Sequence, residues 1–104
     1  MIKEVKAEEF ENELKNNETM LVEFYGTWCM PCKMLSGILE KVDEKLESKF
    51  PILKIDVDTN MKLVRKYGVL TTPTLIMFKN GEEVEKVVGF RQEKQILDLI
   101  QQYK

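Results

Sequence analysis

Met20-Leu21-Val22-Glu23-Phe24-Tyr25-Gly26-Thr27-Trp28-Cys29-Met30-Pro31-Cys32 is the stretch around which the chain is organised. Its first six residues form a near-continuous apolar run, as expected of a central strand covered on both faces, and Glu23 is the one carboxylate in it. Gly26-Thr27 turns the chain. From Met30 to about Ser48 a helix is expected, with Leu35, Ile38, Leu39, Val42 and Leu46 on one stripe. The only two cysteines therefore fall at a strand-to-helix junction, three positions apart. With Cys29 at the helix N-cap, Cys32 falls at N3, and the Cys29 sulfur can accept from the Cys32 backbone N–H at the positive end of the helix dipole. Both effects favour a thiolate. Pro31 suits the first turn, where its missing N–H leaves no ladder bond unmade.

Outward from this junction the pattern alternates. Ile2 to Lys6 is a short strand candidate, and Ala7 to Asn16 reads as a helix with Phe10 and Leu14 four apart. Ile52 to Val57 is a second buried strand, and Asp58-Thr59-Asn60 is expected to cap a short helix from Met61 to Tyr67 that Gly68 stops. After Thr71-Thr72-Pro73-Thr74 comes the strand Leu75 to Phe78. Asn80-Gly81 then signals a hairpin into Glu83 to Val88. A last helix spans Gln92 to Tyr103 with Ile96, Leu97, Ile100 and Tyr103 inward, although it lacks a Ser, Thr or Asp cap. The order β-α-β-α-β-α-β-β-α predicts an α/β fold, a mixed sheet with parallel crossovers, an antiparallel end and helices on both faces.

Length and composition narrow the function. The 104 residues suggest one domain, 1–104, and 43% hydrophobic residues with nine aromatics can fill a core without staples. A net charge of −2 with acids and bases interleaved leaves no basic stripe for nucleic acid. The start lacks the apolar core of a secretory signal and no run is long enough to span a bilayer, so a cytoplasmic, membrane-free protein is the default expectation. Two cysteines cannot build a disulfide scaffold. A bridge between them closes a loop of four residues worth about 2 kcal/mol in the chain-entropy model. With no histidine, a zinc site would need carboxylates or a second chain. A redox role thus stands ahead of a structural one.

Glu23 is the second candidate. Its neighbours are apolar, so desolvation should raise its pKa toward neutrality, where it could take the Cys32 proton; the alternative is a carboxylate that reaches out to solvent. Lys54, in the neighbouring apolar strand, could modulate it or be an ordinary surface lysine. Trp28 and Met30 beside an exposed thiol suit a docking surface. The six methionines read mostly as core filler, and the runs Glu82-Glu83 and Glu44 to Lys49 as solvated faces.

Taken together, Val22-Glu23-Phe24-Tyr25, Trp28-Cys29-Met30-Pro31-Cys32-Lys33, Lys54, Asp58, Tyr67-Gly68-Val69, Pro73-Thr74-Leu75, Phe78-Lys79-Asn80-Gly81 and Val88-Gly89 resemble the thioredoxin family along the whole chain. The resemblance implies the thioredoxin fold, a mixed five-stranded sheet in the order 1-3-2-4-5 flanked by four helices. It implies that Cys29 is the exposed attacking thiol, Cys32 the buried resolving one, and Pro73 a cis-proline facing the disulfide. Trp28, Met30, Pro31, Thr72, Pro73, Val88, Gly89 and Phe90 would form the substrate groove, with the residue-72 backbone pairing to an extended segment. The chain departs from the family pattern at Glu23 for the usual Asp, Met30 for the glycine between the cysteines, Thr72 for the isoleucine before the cis-proline, and Gly37 for a kinking proline. Phe90 adds bulk to the groove.

The expected function is reduction of protein disulfides by dithiol–disulfide exchange through Cys29 and Cys32, in a monomer, without a bound cofactor or metal. Lowering a thiol from ~8.5 to about 7, the value known for thioredoxin itself, gains roughly 16-fold in thiolate at pH 7 and loses roughly fivefold in nucleophilicity. Proximity of the second thiol therefore contributes more than acidity. The partners expected are protein disulfide substrates and a thioredoxin-reductase-type electron donor. The alternatives are an oxidase-, isomerase- or glutaredoxin-like protein running the other way, a non-catalytic thioredoxin-fold binding module, and a zinc-bridged dimer.

Overall fold

The apolar run that marks the centre of the sequence becomes the central strand of the sheet. In the computed structural model, which describes residues 1–104, it is β2 (Thr19–Tyr25). The other elements are β1 (Ile2–Glu4), α1 (Ala7–Asn16), α2 (Met30–Lys45), β3 (Ile52–Asp56), α3 (Met61–Lys66), β4 (Thr74–Lys79), β5 (Glu82–Val88) and α4 (Glu93–Tyr103). The five strands lie in the order β1-β3-β2-β4-β5. β3 pairs in parallel with β1 and β2, β4 antiparallel with β2, and β5 antiparallel with β4. The expected mixed sheet is thus observed.

Side chains alternate along β2, and the alternation sorts the core into two layers. Met20, Val22 and Phe24 pack with Phe10, Leu53, Ile55, Leu63, Ile76 and Phe78 on the α1/α3 face. Leu21 packs with Leu35, Leu39, Val42, Ile52, Leu75, Ile96 and Ile100 on the α2/α4 face. By the same parity Glu23 and Tyr25 point toward α2, as does Lys54 two residues after Ile52. Glu23 stands opposite Lys54 on one side and Leu75 on the other.

Several boundaries differ from expectation for identifiable reasons. α2 stops at Lys45 rather than near Ser48, because Glu47 and Ser48 adopt φ 56° and 55°, left-handed positions that end the helix before Phe50-Pro51. Asn60 precedes α3 but makes no side-chain cap. Its Oδ1 instead accepts from the Ala7 N–H at 2.8 Å and its Nδ2 donates to the Asp56 carbonyl, so it ties α1 to β3. The irregular apolar side of β5 is a bulge. Met77 pairs with Glu85 and Phe78 with Glu83, leaving Val84 unpaired and exposed while Val87 packs on the core. α4 buries Leu99 with Ile96 and Ile100 and leaves Leu97 half-buried. Its start is closed by Gln95, whose Oε1 accepts the Gln92 N–H at 2.9 Å. No helix is long and apolar enough to cross a membrane.

Candidate active site

In a crossover between strands, the helix returns antiparallel to the strand before it, so the first turn of α2 lies over the C-terminal end of β2. Cys29 is the N-cap of α2, Met30 and Pro31 open the first turn, and Cys32 follows at N3. The two cysteines are joined as a disulfide with Cα atoms 5.2 Å apart. The Cys32 N–H points at the Cys29 sulfur, 3.2 Å away. The sequence-based placement of the pair at the helix mouth thus matches the geometry.

Exposure of the two thiols does not match it. Cys29 was expected to be exposed and Cys32 buried, but the residues are 5% and 4% exposed. The reason is local: the turn that brings the Cys29 sulfur over the helix mouth also folds it onto Cys32. What the surface offers at this point is its flanking residues, Trp28 at 66% and Met30 at 64%, with Pro31 also exposed.

Pro73 follows a cis peptide bond from Thr72 and is buried, and its carbonyl accepts from the Gly89 N–H at 2.8 Å. That bond, with the Thr74–Val88 register, ties the end of β5 to the proline loop. Val88 is exposed, Gly89 turns the chain at φ 94°, and Phe90 is half-buried against the α2/α4 core. Phe90 was expected to add bulk to a groove, yet much of its ring fills the core, because the turn at Gly89 sends the next side chain inward.

Four of the six methionines are exposed, so the reading of methionine as core filler holds only for Met20 and Met77. Met30, Met34 and Met61 stand out from the helices and Met1 from the far end. Met61 and the almost fully exposed Leu70 share a shallow depression with Trp28, Val57 and Val69. Asp58 anchors the indole, accepting from Trp28 Nε1 at 2.9 Å. Gly26 leaves room for the ring to lie back, since a Cβ there would sit 2.7 Å from it. Met61 and Leu70 were not found from the sequence. Their one signal is position, since neither falls on the apolar face that α3 needs for packing.

On the α2 side of the sheet, toward the C-terminal end of β2, lies Glu23. It is fully buried and neither carboxylate oxygen accepts a hydrogen bond from the protein. Burial pushes its pKa up from 4.5 to about 7, the Lys54 charge pulls it back, and Glu4 adds to the rise. Lys54 Nζ stands 3.9 Å from Glu23 Oε1, with its side chain 22% exposed. Lys54 is therefore neither a free surface lysine nor a close ion-pair partner. No group of His, Cys, Asp or Glu side chains is arranged to hold a metal.

Comparison with known proteins agrees with this geometry. The thioredoxin family model matches residues 1–102. The thioredoxin of Rickettsia bellii is 40% identical over 101 residues, covering 96% of each chain. That of Staphylococcus aureus is 39% identical over 102 residues, covering 98% of this chain and 97% of its own. Among solved structures, a mutant thioredoxin from Halobacterium salinarum superposes with a TM-score of 0.90 at 39% identity, over 98% of this chain and 89% of that one. Reduced thioredoxin pre-protein from Schistosoma mansoni superposes at 0.89 with 33% identity, over 99% and 98%. A redox pair at a helix mouth, a five-stranded sheet in this order and relatives matched over nearly their whole length lead to one conclusion: the chain belongs to the thioredoxin family, and it is a thiol–disulfide oxidoreductase acting through Cys29 and Cys32.

Proposed function

We propose that the chain, as one domain, is a monomeric cytoplasmic reductase of protein disulfides, with Cys29 as nucleophile and Cys32 as resolving thiol. The observation that carries this reading is the Cys29 sulfur at the N-terminus of α2, 3.2 Å from the Cys32 amide. An anion on that sulfur meets an N–H donor and the helix dipole. The Cys29 thiolate attacks one sulfur of a substrate disulfide, forms a mixed disulfide and expels the other substrate sulfur as a thiolate. The Cys32 thiol gives its proton to the Glu23 carboxylate, keeps the electron pair and attacks the Cys29 sulfur. The second substrate sulfur leaves as a thiolate and is protonated, Glu23 gives its proton back to solvent, two electrons have passed to substrate, and the Cys29–Cys32 bridge remains. A thioredoxin-reductase-type donor restores the dithiol, and no bound cofactor enters the cycle.

Supporting roles are assigned to the residues around the pair. Lys54 faces Glu23 and tunes its charge. Pro73 and the residue-72 backbone hold an extended substrate segment against the disulfide. Trp28, Met30, Pro31, Thr72, Val88, Gly89 and the exposed edge of Phe90 form the surface along which it lies. Thr72 before the cis-proline supports a second reading, an oxidase- or isomerase-like direction of exchange. The test is an insulin-type disulfide reduction assay with wild type and Cys29→Ser in parallel, together with the reduction potential against glutathione. Cys-dependent reduction and a potential at or below the cytosolic poise are expected. Equal activity of Cys29→Ser would remove the thiol chemistry, and a potential well above that poise would reverse the direction.

A further inference from the structure

Glu4, Lys54 and Glu23 lie in one row across β1, β3 and β2, because Glu4 and Glu23 are both register partners of Lys54. In that row the lysine ammonium is held on three sides. Its Nζ donates to Ser36 Oγ on α2 at 3.4 Å, stands 4.9 Å from the centroid of the Tyr25 ring, and faces Glu23 Oε1 at 3.9 Å. Tyr25 is itself tethered, its hydroxyl donating to both carboxylate oxygens of Glu4 at 2.8 and 2.9 Å. Ser36 is one turn beyond Cys32 on α2, so the contact reaches from the helix that carries the disulfide to the strand beneath it.

We propose that Ser36 and the Tyr25–Glu4 pair are positioning residues that hold the Lys54 ammonium against the buried Glu23 carboxyl and so set how strongly that carboxyl keeps its proton. A lysine on four flexible methylenes otherwise turns its ammonium into water. Ser36 supplies an oxygen and Tyr25 the negative face of a ring on the protein side, which together oppose that turn. The position matters because Coulomb attraction falls with distance. Letting the ammonium drift from 3.9 Å to about 6 Å removes roughly a third of its pull, and solvent screening removes more. The other charged or titratable groups around Glu23 are Glu4 on β1, Tyr25 on β2 and Asp56 acting through Tyr25; the cysteine pair is a disulfide and carries no charge, and β4 offers only Leu75. Lys54 is the one cation among them. The consequence for turnover rests on the reading of Glu23 as the acceptor of the Cys32 proton, but the titration of Glu23 does not.

The experiment follows the Glu23 carboxyl carbon by NMR as a function of pH in the oxidised protein, with Glu23→Gln identifying the signal. Ser36→Ala is expected to raise the midpoint by about half a pH unit and Ser36→Thr to restore it. Tyr25→Leu is expected to move it the same way. Lys54→Met is expected to raise it further, and in that background Ser36→Ala should add nothing. A midpoint unmoved by Ser36→Ala, or moved equally with Lys54 absent, overturns the proposal. The pH profile of insulin reduction is measured alongside. If the titration moves and the profile does not follow, the positioning holds and the proton role of Glu23 is what fails.

Discussion

At the scale of single residues the chief energetic burden is Glu23, a carboxylate with no hydrogen-bond donor in a strand otherwise given over to the core. Its pKa of about 7 in the fold against 4.5 unfolded ties stability to pH. Below pH 4.5 both states are protonated and the burial carries no charge penalty. As pH rises toward 7 the unfolded state loses its proton first, so stability falls, and above about 7 the full cost, roughly 3 kcal/mol, is present. Glu23→Leu should therefore be more stable than wild type at pH 8 by up to roughly that amount and close to it at pH 4. Urea unfolding of both oxidised proteins at the two pH values measures this, and an equal gap at both would mean that Glu23 reaches water. The burial was legible from four apolar neighbours in the sequence. The Lys54 distance, the Ser36 contact and the Asp58–Trp28 bond were not, because each joins residues far apart in the chain whose side chains could equally have met solvent.

At the scale of elements, α2 shows what local pattern can and cannot fix. Its start was readable because Cys29, Pro31 and Cys32 fall where an N-cap, a first-turn proline and an N3 amide belong. Its end was not, because the left-handed residues that stop it are Glu47 and Ser48 rather than glycine. Hairpin chemistry was plain where Asn80 and Gly81, at φ 52° and 81°, supply the turn. The bulge beyond it was visible only as a lapse in alternation. Inside α2, Gly37 is exposed and a Cβ there would meet nothing within 4 Å. A glycine in a helix interior costs about 0.5–1 kcal/mol relative to alanine, through the freedom it loses on folding. Gly37→Ala should raise the urea midpoint by that amount without changing the slope or the rate of insulin reduction. A loss of activity with the expected stability would mean that α2 must bend at Gly37 during exchange.

At the scale of the whole molecule, topology gathers three distant segments at one pole. The parallel crossover sets the mouth of α2 at the C-terminal end of β2. The antiparallel β4 begins at that same end, just after the cis-proline, and β5 returns there through the Gly89–Pro73 bond. The exposed Trp28, Met30, Met61, Leu70 and Val88 belong to these segments or to α3 beside them. A surface with such a cluster on one side marks where a partner is met. Methionine adapts its shape to the surface it meets, which suits the docking role proposed for Met30. Met1 makes an internal control, since it is 56% exposed but sits at the opposite end, its amine bonded to the Phe50 carbonyl and Asp43 past the middle of α2. In a mixed disulfide trapped on Cys29 with Cys32→Ser and a reduced, unfolded protein substrate, peroxide oxidation of Met30 and Met61 should slow several-fold. Met1 should react as in the free protein. Peptide mass spectrometry reads all three in one sample, and uniform protection, or protection of Met1 alone, would place the docking surface elsewhere than around the disulfide.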